Sequence, residues 1–290
     1  MNRKQALKTL TAGAAALTFG GNIMSCNKNT DMKNSSLNGN IRHSVSRWCY
    51  GKYPLDQLAD ACKEMGIESI ELLNVDECKT VIDKGLTCAM VNGSPLGISN
   101  GFNEPGLHGQ LLQDYERLIP QVAELGLTNI ICFSGDRKGM DDKVGMENCA
   151  KGLMPVVELA EKHNVIVIME LLNSKVNHPD YMCDNSIWGV ELCEKIGSDQ
   201  FKLLYDIYHM QIMEGDIIAT IKKNHRYYGH YHTGGVPGRN EIDENQELYY
   251  PAIMKAIVET GYKGFVGQEF IPTWDDPLEA LKQGIMICDV

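Results

Sequence analysis

Four side chains able to bind a cation or move a proton, Glu170, Asp206, His232 and Glu269, each close an apolar run in the second half of the chain. The runs read VIVIME, KLLYD, YYGHYH and GFVGQE, and a helix-like stretch follows each. If they are successive parallel strands of one barrel, their carboxyl ends share a rim and the four side chains converge there. Three carboxylates and one imidazole suit a hard or borderline divalent cation. Packed together without one, the carboxylates would repel each other and be driven toward protonation. His209, three residues past Asp206, and Arg239, seven past His232, fit the same rim. An imidazole and a fixed guanidinium suit hydroxyl and carboxylate oxygens of a small polar substrate. A helix-start cap for His209 and a surface ion pair for Arg239 are the plainer alternatives.

Secondary candidates follow from position. His108 and the Gly/Asn/Pro-rich loop 92–106 could cover a pocket at that rim. Asn173, Lys175 and His178 follow Glu170 and would reach a substrate, or else hydrogen-bond their own loop. Trp48, Tyr50, Phe133 and Trp274 could wall a sugar face, although packing is the commoner use of such rings. Ser134-Gly135-Asp136-Arg137 is polar, with no role that its composition suggests.

The elements that must position these residues alternate from position 41 onward. Strand-like runs are expected at 41–48, 67–73, 86–91, 127–133, 165–171, 201–205, 227–232 and 265–269, with helical stretches between them. Gly66, Gly85, Gly126 and Gly261 stand at the helix-to-strand steps, as short returns require. Eight strand–helix units in about 250 residues predict a single (β/α)8 TIM barrel of the α/β class. An open doubly wound sheet would bring a glycine-rich phosphate loop after its first strand, and Trp48-Cys49-Tyr50-Gly51 is not one.

Composition agrees with one folded domain over 41–290. The chain has 290 residues, 43% hydrophobic and 22% charged, with a formal net charge of −11. That balance offers no basic footprint for nucleic acid, so no nucleic-acid partner is expected. Ten cysteines without CxxC or zinc-finger spacing read as small core residues. Whether the chain forms a homo-oligomer is left open.

Residues 1–40 differ from the rest. Arg3, Lys4 and Lys8 precede an apolar run of small residues, 10–21, too short for a lasting membrane span. The start resembles a twin-arginine export signal with lysine as the second basic residue, and Ile23-Met24-Ser25-Cys26 resembles a lipobox. The expectation is an exported protein, periplasmic or tethered through a lipid anchor at Cys26. If this stretch is no signal, the protein is cytoplasmic and the stretch an amphipathic helix.

Four short motifs in fixed order carry a family resemblance: Met169-Glu170-Leu171-Leu172-Asn173, Tyr205-Asp206-Ile207-Tyr208-His209-Met210-Gln211, Gly229-His230-Tyr231-His232 with Pro237-Gly238-Arg239-Asn240-Glu241, and Gly267-Gln268-Glu269-Phe270. Together they resemble the hydroxypyruvate isomerase family, within the xylose isomerase-like isomerases and epimerases. The resemblance implies one Mg²⁺ or Mn²⁺ on Glu170, Asp206, His232 and Glu269. It also implies Glu170 and Glu269 as the acid–base pair, and His209 and Arg239 on the substrate. Hydroxypyruvate isomerases often carry glutamine at the fourth ligand, whereas His232 is more like the ketose 3-epimerases and admits Co²⁺ or Zn²⁺. The reaction implied is proton transfer through a metal-held enediolate of a small hydroxy-carbonyl compound or sugar. Two other classes compete: metal-assisted hydrolysis at abasic sites, which needs a richer ligand set, and an exported sugar-binding protein without turnover.

Overall fold

Parallel strands need a long crossover between them, and this chain uses helices for nearly every one. The computed structural model describes residues 37–290, so the export-like stretch and Cys26 lie outside the described residues. The order is β1 (Arg42–Ser46), α1 (Leu55–Glu64), β2 (Ser69–Glu71), α2 (Val75–Asp83), α3 (His108–Glu124), β3 (Asn129–Cys132), α4 (Asp142–His163), β4 (Ile166–Glu170) and α5 (Ser186–Ile196). It continues through β5 (Phe201–Asp206), α6 (Ile207–Met213), α7 (Ile217–Asn224), β6 (Tyr228–Thr233), α8 (Tyr250–Glu259), β7 (Phe265–Gln268) and α9 (Pro277–Cys288). Neighbours in the sheet run β2-β1-β7-β6-β5-β4-β3, every pair parallel.

Between β2 and β3 the eighth barrel position is filled irregularly. Segment 86–91 is no continuous strand; Thr87 bridges Ser69, and Val91 bridges both Leu73 and Ile130. Side chains cause the break: Ala89 N–H donates to Ser69 Oγ at 2.8 Å, and Asn129 Nδ2 donates to Ala89 O at 2.9 Å. With both backbone groups of Ala89 taken by side chains, no ladder forms there. The ring is therefore a TIM barrel of seven regular strands and one bridging segment.

Two further departures concern the ends of elements. Helix α6, which the sequence pattern does not reveal, starts directly on Asp206, whose Oδ1 accepts the His209 N–H at 3.0 Å. Such a cap contributes about 1 kcal/mol. Residues 37–40, expected to be linker, belong to the barrel: Asn38 N–H donates to Asp289 Oδ2 at 2.7 Å and Asn40 Nδ2 to Val290 O at 2.7 Å.

Alternation along the strands sorts the core into two layers. Val45, Ile70, Val167, Met169, Leu203, Tyr205, Tyr231 and Val266 face outward and are fully buried in the main hydrophobic core. Each such side chain contributes roughly 1.5–3 kcal/mol. Inside the barrel, Met90, Ile131, Ile168 and Leu204 make a separate apolar cluster. The other half of the interior is small and polar: Ser44, Ser69 and Gly267 share the inward register, with Ser44 Oγ donating to Ser69 Oγ at 2.9 Å. The described cysteines are free thiols, all buried except the half-buried Cys49.

Candidate active site

Register brings four side chains to one point. Glu170 ends β4, Asp206 ends β5, and His232 lies beside Asp206 on β6. Glu269 follows β7, its N–H donating to Thr233 O at 3.0 Å. One oxygen or nitrogen from each lies within 4.8 Å of the other three, and all four residues are buried. His232 Nδ1 is 2.8 Å from Glu269 Oε2, 3.5 Å from Glu170 Oε1 and 4.0 Å from Asp206 Oδ2. Glu170 Oε1 and Asp206 Oδ2 are buried outside any hydrogen bond and face the shared centre. Two buried carboxylate oxygens without a donor, beside an imidazole and a third carboxylate, are what a divalent cation would complete, so this ligand set fits one.

Electrostatics split the carboxylates. Burial raises Glu170 and pushes Asp206 up to about 7 despite nearby Arg239. Burial also works against ionised Glu269, but Arg239 and His232 win and hold it well below the carboxylate range. His232 is raised far above an ordinary imidazole, Glu269 and Glu71 outweighing its burial.

The remaining sequence candidates separate. Arg239 reaches the cluster, its Nη2 lying 2.5 Å from Glu269 Oε2 and 3.5 Å from Asp206 Oδ2. Its guanidinium sits over the Trp48 and Tyr208 rings, and its backbone is left-handed at φ 60°. His209 is fully buried, with Nε2 3.7 Å from Asp206 Oδ2. Asn173 fastens it: the Asn173 N–H donates to His209 Nδ1 at 3.2 Å, and its Nδ2 is 2.6 Å from the same nitrogen. Asn173 Oδ1 accepts from the N–H groups of Val176 and Asn177, and its Nδ2 also donates to Asn177 Oδ1 at 2.8 Å, so it orders its loop and His209 instead of facing the cavity. His108 is not at the rim. Its Nε2 is 2.8 Å from Phe102 O and its ring fills the space above Gly152 of α4.

A cavity of about 380 Å³ opens over the cluster, lined by Glu170, Glu269, Arg239, His178 and Asn92 on its polar side. Trp48, Leu72, Ile98, Ile131, Phe133 and Leu172 complete the wall. Trp48 and Phe133 thus face the cavity, whereas Tyr50 is fully buried with its ring edge-on to Phe270. Lys175 donates to Ile212 O and Met213 O at the end of α6. Arg137 finds a role as a brace, pairing with Asp142 at 2.9 Å and Asp184 at 3.1 Å.

Sequence reasoning gives no role to Glu71, and none to Glu241 and His230 beyond their place in the motifs. Buried Glu241 accepts from the Trp274 N–H at 2.8 Å and the Thr273 hydroxyl at 3.0 Å, tying the loop after β7 to the loop that carries Arg239. Glu71 reaches both His230 and His232. Its sequence signal is weak, because the run from Ile67 to Leu73 also carries Glu68 and Ser69 and nothing local sets Glu71 apart.

Comparison with known proteins followed the same barrel. The profile of a family described as "Xylose isomerase-like TIM barrel" matches residues 47–288. A human protein named putative hydroxypyruvate isomerase is 26% identical over 240 residues, 79% of this chain and 78% of its own length. A 2-oxo-tetronate isomerase of Cupriavidus necator is 27% identical over 229 residues, 75% of this chain and 87% of that protein. Among solved structures, a Brucella melitensis protein described as AP endonuclease, family 2, superposes with a TM-score of 0.76 at 23% identity, covering 83% of this chain and 97% of that one.

Proposed function

The chain belongs to the xylose isomerase-like TIM barrel family, and from that premise we propose that it is a divalent-metal-dependent isomerase of a small hydroxy-carbonyl compound or sugar. One observation carries the reading: two cavity-lining glutamates, Glu170 and Glu269, share a single convergent donor cluster with Asp206 and His232. The names of the relatives, a hydroxypyruvate isomerase and a 2-oxo-tetronate isomerase, support this substrate class. A cavity of about 380 Å³ suits a small molecule.

Glu170, Asp206, His232 and Glu269 would hold the cation. When bound, Mg²⁺ or Mn²⁺ (Co²⁺ or Zn²⁺ also suit the donors) polarises a carbonyl and its neighbouring hydroxyl and acidifies the C–H between them. The protein's part is proton transfer and orientation. Glu170 and Glu269 stand on β4 and after β7, with β5 and β6 between them in the sheet, so they flank the cluster. One carboxylate takes the proton and a carboxylate returns it, at the adjacent carbon for isomerisation or on the opposite face for epimerisation. Arg239, aligned by Trp48 and Tyr208, supplies a planar donor fork for substrate oxygens, and His209 holds Nε2 3.7 Å from Asp206 Oδ2 with no hydrogen bond of its own. The apolar side of the cavity excludes water from the reacting carbons.

His232 at the fourth position favours a second reading, ketose 3-epimerisation, as in the epimerases that use histidine there. Metal-dependent exchange of substrate C–H with solvent deuterium, across hydroxypyruvate and a panel of ketoses, tests both. Exchange with isomerised product supports the first and exchange with an inverted carbon the second. No exchange with cation bound favours a sugar-binding protein without turnover. Export, with Cys26 as lipid anchor, is a separate proposal resting on Arg3, Lys4, Lys8 and the stretch before Cys26; the mass of the mature N-terminus tests it.

A further inference from the structure

Glu71 ends β2, which lies three places from β6 in the sheet order β2-β1-β7-β6. Its fully buried carboxylate nevertheless crosses the barrel interior to that strand. Glu71 Oε1 is 2.5 Å from His232 Nε2 and 3.0 Å from His230 Nε2. The opposite nitrogen of the same ring, His232 Nδ1, faces Glu269, Glu170 and Asp206. A neutral imidazole donates through one nitrogen and offers a lone pair from the other. A carboxylate seated on Nε2 keeps the proton there and leaves the Nδ1 lone pair pointing into the cluster. Room for this contact is built in. A Cβ on Gly267 would lie 2.4 Å from Glu71 Oε1 and 2.9 Å from His232 Cδ2, so any larger residue would displace the pair.

We propose that Glu71 is a positioning residue that presets His232, through Nε2, as an Nδ1 ligand of the divalent cation, with His230 Nε2 steadying the same carboxylate oxygen, Oε1. The inference rests on reading Glu170, Asp206, His232 and Glu269 as a metal site. Glu71 does not line the cavity, so it acts through His232 and not on substrate. Carboxylates hydrogen-bonded to the far nitrogen of a metal-bound histidine orient the ring and raise its basicity.

Titration of the chelator-stripped full chain with Co²⁺ and with Mn²⁺ tests it, using wild type, Glu71→Ala, Glu71→Gln and Gly267→Ala. Loss of such a partner is expected to weaken cation binding roughly 10–100-fold in Glu71→Ala. Glu71→Gln, whose amide oxygen can still accept one N–H, should fall between, and Gly267→Ala should weaken binding by displacing the pair while every ionisable group is kept. Melting each variant in chelator separates a folding defect from a binding defect; where Glu71→Ala does not fold, the other two carry the comparison. Proton NMR of the Co²⁺-loaded wild type should show a hyperfine-shifted, slowly exchanging imidazole N–H that Glu71→Ala loses. Folded variants that bind Co²⁺ as tightly as wild type and retain that resonance would overturn the proposal. Wild type that binds neither cation would instead sink the metal reading, and this inference with it.

Discussion

The indole N–H of Trp48 donates to Glu269 Oε1 at 2.7 Å, across 221 positions of sequence. Glu269 Oε2 is thereby left to His232 Nδ1 and Arg239 Nη2, at 2.8 and 2.5 Å. The loop after β1 thus sets the orientation of the carboxylate after β7. Trp48→Phe keeps the ring under Arg239 but removes the donor. Trp48 is 45% exposed, so the loss is expected near 1 kcal/mol, about fivefold in kcat/KM. Steady-state kinetics with the cation saturating check it, and an unchanged kcat/KM would contradict the assignment.

Both flanking glutamates serve two purposes on the proposed reading. Glu170→Gln and Glu269→Gln should each lower solvent-deuterium exchange by about 10²–10⁴-fold, the usual worth of a positioned acid or base. Each should also weaken Mn²⁺ binding. Exchange measured at saturating Mn²⁺ separates the two losses, since a residue that only binds the cation would recover there.

Asp206 divides its oxygens between a helix cap and the cluster, and two substitutions part these roles. Asp206→Asn can still cap α6 but offers a poorer ligand, so cation binding should fall while chelator-stripped stability stays near wild type. Asp206→Ala loses the cap as well and should cost about 1 kcal/mol more. Thermal melts in chelator, paired with Mn²⁺ titration, resolve the difference.

Cation removal should lower the melting temperature. A ligand present at about 100 times its Kd stabilises by about 2.7 kcal/mol, or roughly 5–10 °C for a chain of this size. Scanning calorimetry with Mn²⁺ and then with excess chelator checks it. Identical melts would speak against a cation bound at the cluster.

His43, on the outer face of β1, is buried 3.8 Å from Asp289. Burial lowers it to about 4 despite Asp289, against an ordinary value of 6.5. Between those values the unfolded chain holds a proton that the folded one does not, so stability is complete above about pH 6.5 and falls as pH drops toward 4. The contribution is on the order of 3 kcal/mol. Denaturant melts at pH 7 and pH 4.5 should show a smaller acid loss in His43→Asn than in wild type.

Much of the barrel was legible because parallel strands followed by helices place every strand's carboxyl end on one rim. Apolar runs ending in Glu170, Asp206, His232 and Glu269 therefore announced their convergence without any knowledge of contacts. Segment 86–91 was misread as a regular strand because the side chains that break its ladder, Ser69 and Asn129, lie about 20 and 40 positions away. Helix α6 stayed hidden because its signal is a single cap on a residue already read as a strand end. His108 and Asn173 looked alike as polar loop residues; only packing sends one to Phe102 and the other to His209.

Sequence alone determined the alternation of elements and the residue types at each strand end, since periodicity and turn chemistry are local. The folded barrel decided which nitrogen of His232 faces the carboxylates, which oxygen of Glu269 meets Trp48 and which meets His232 and Arg239, and that Glu71 belongs with them. Those choices depend on groups 159 to 221 positions apart meeting across the interior. Distances of that kind exist only once the ring has closed.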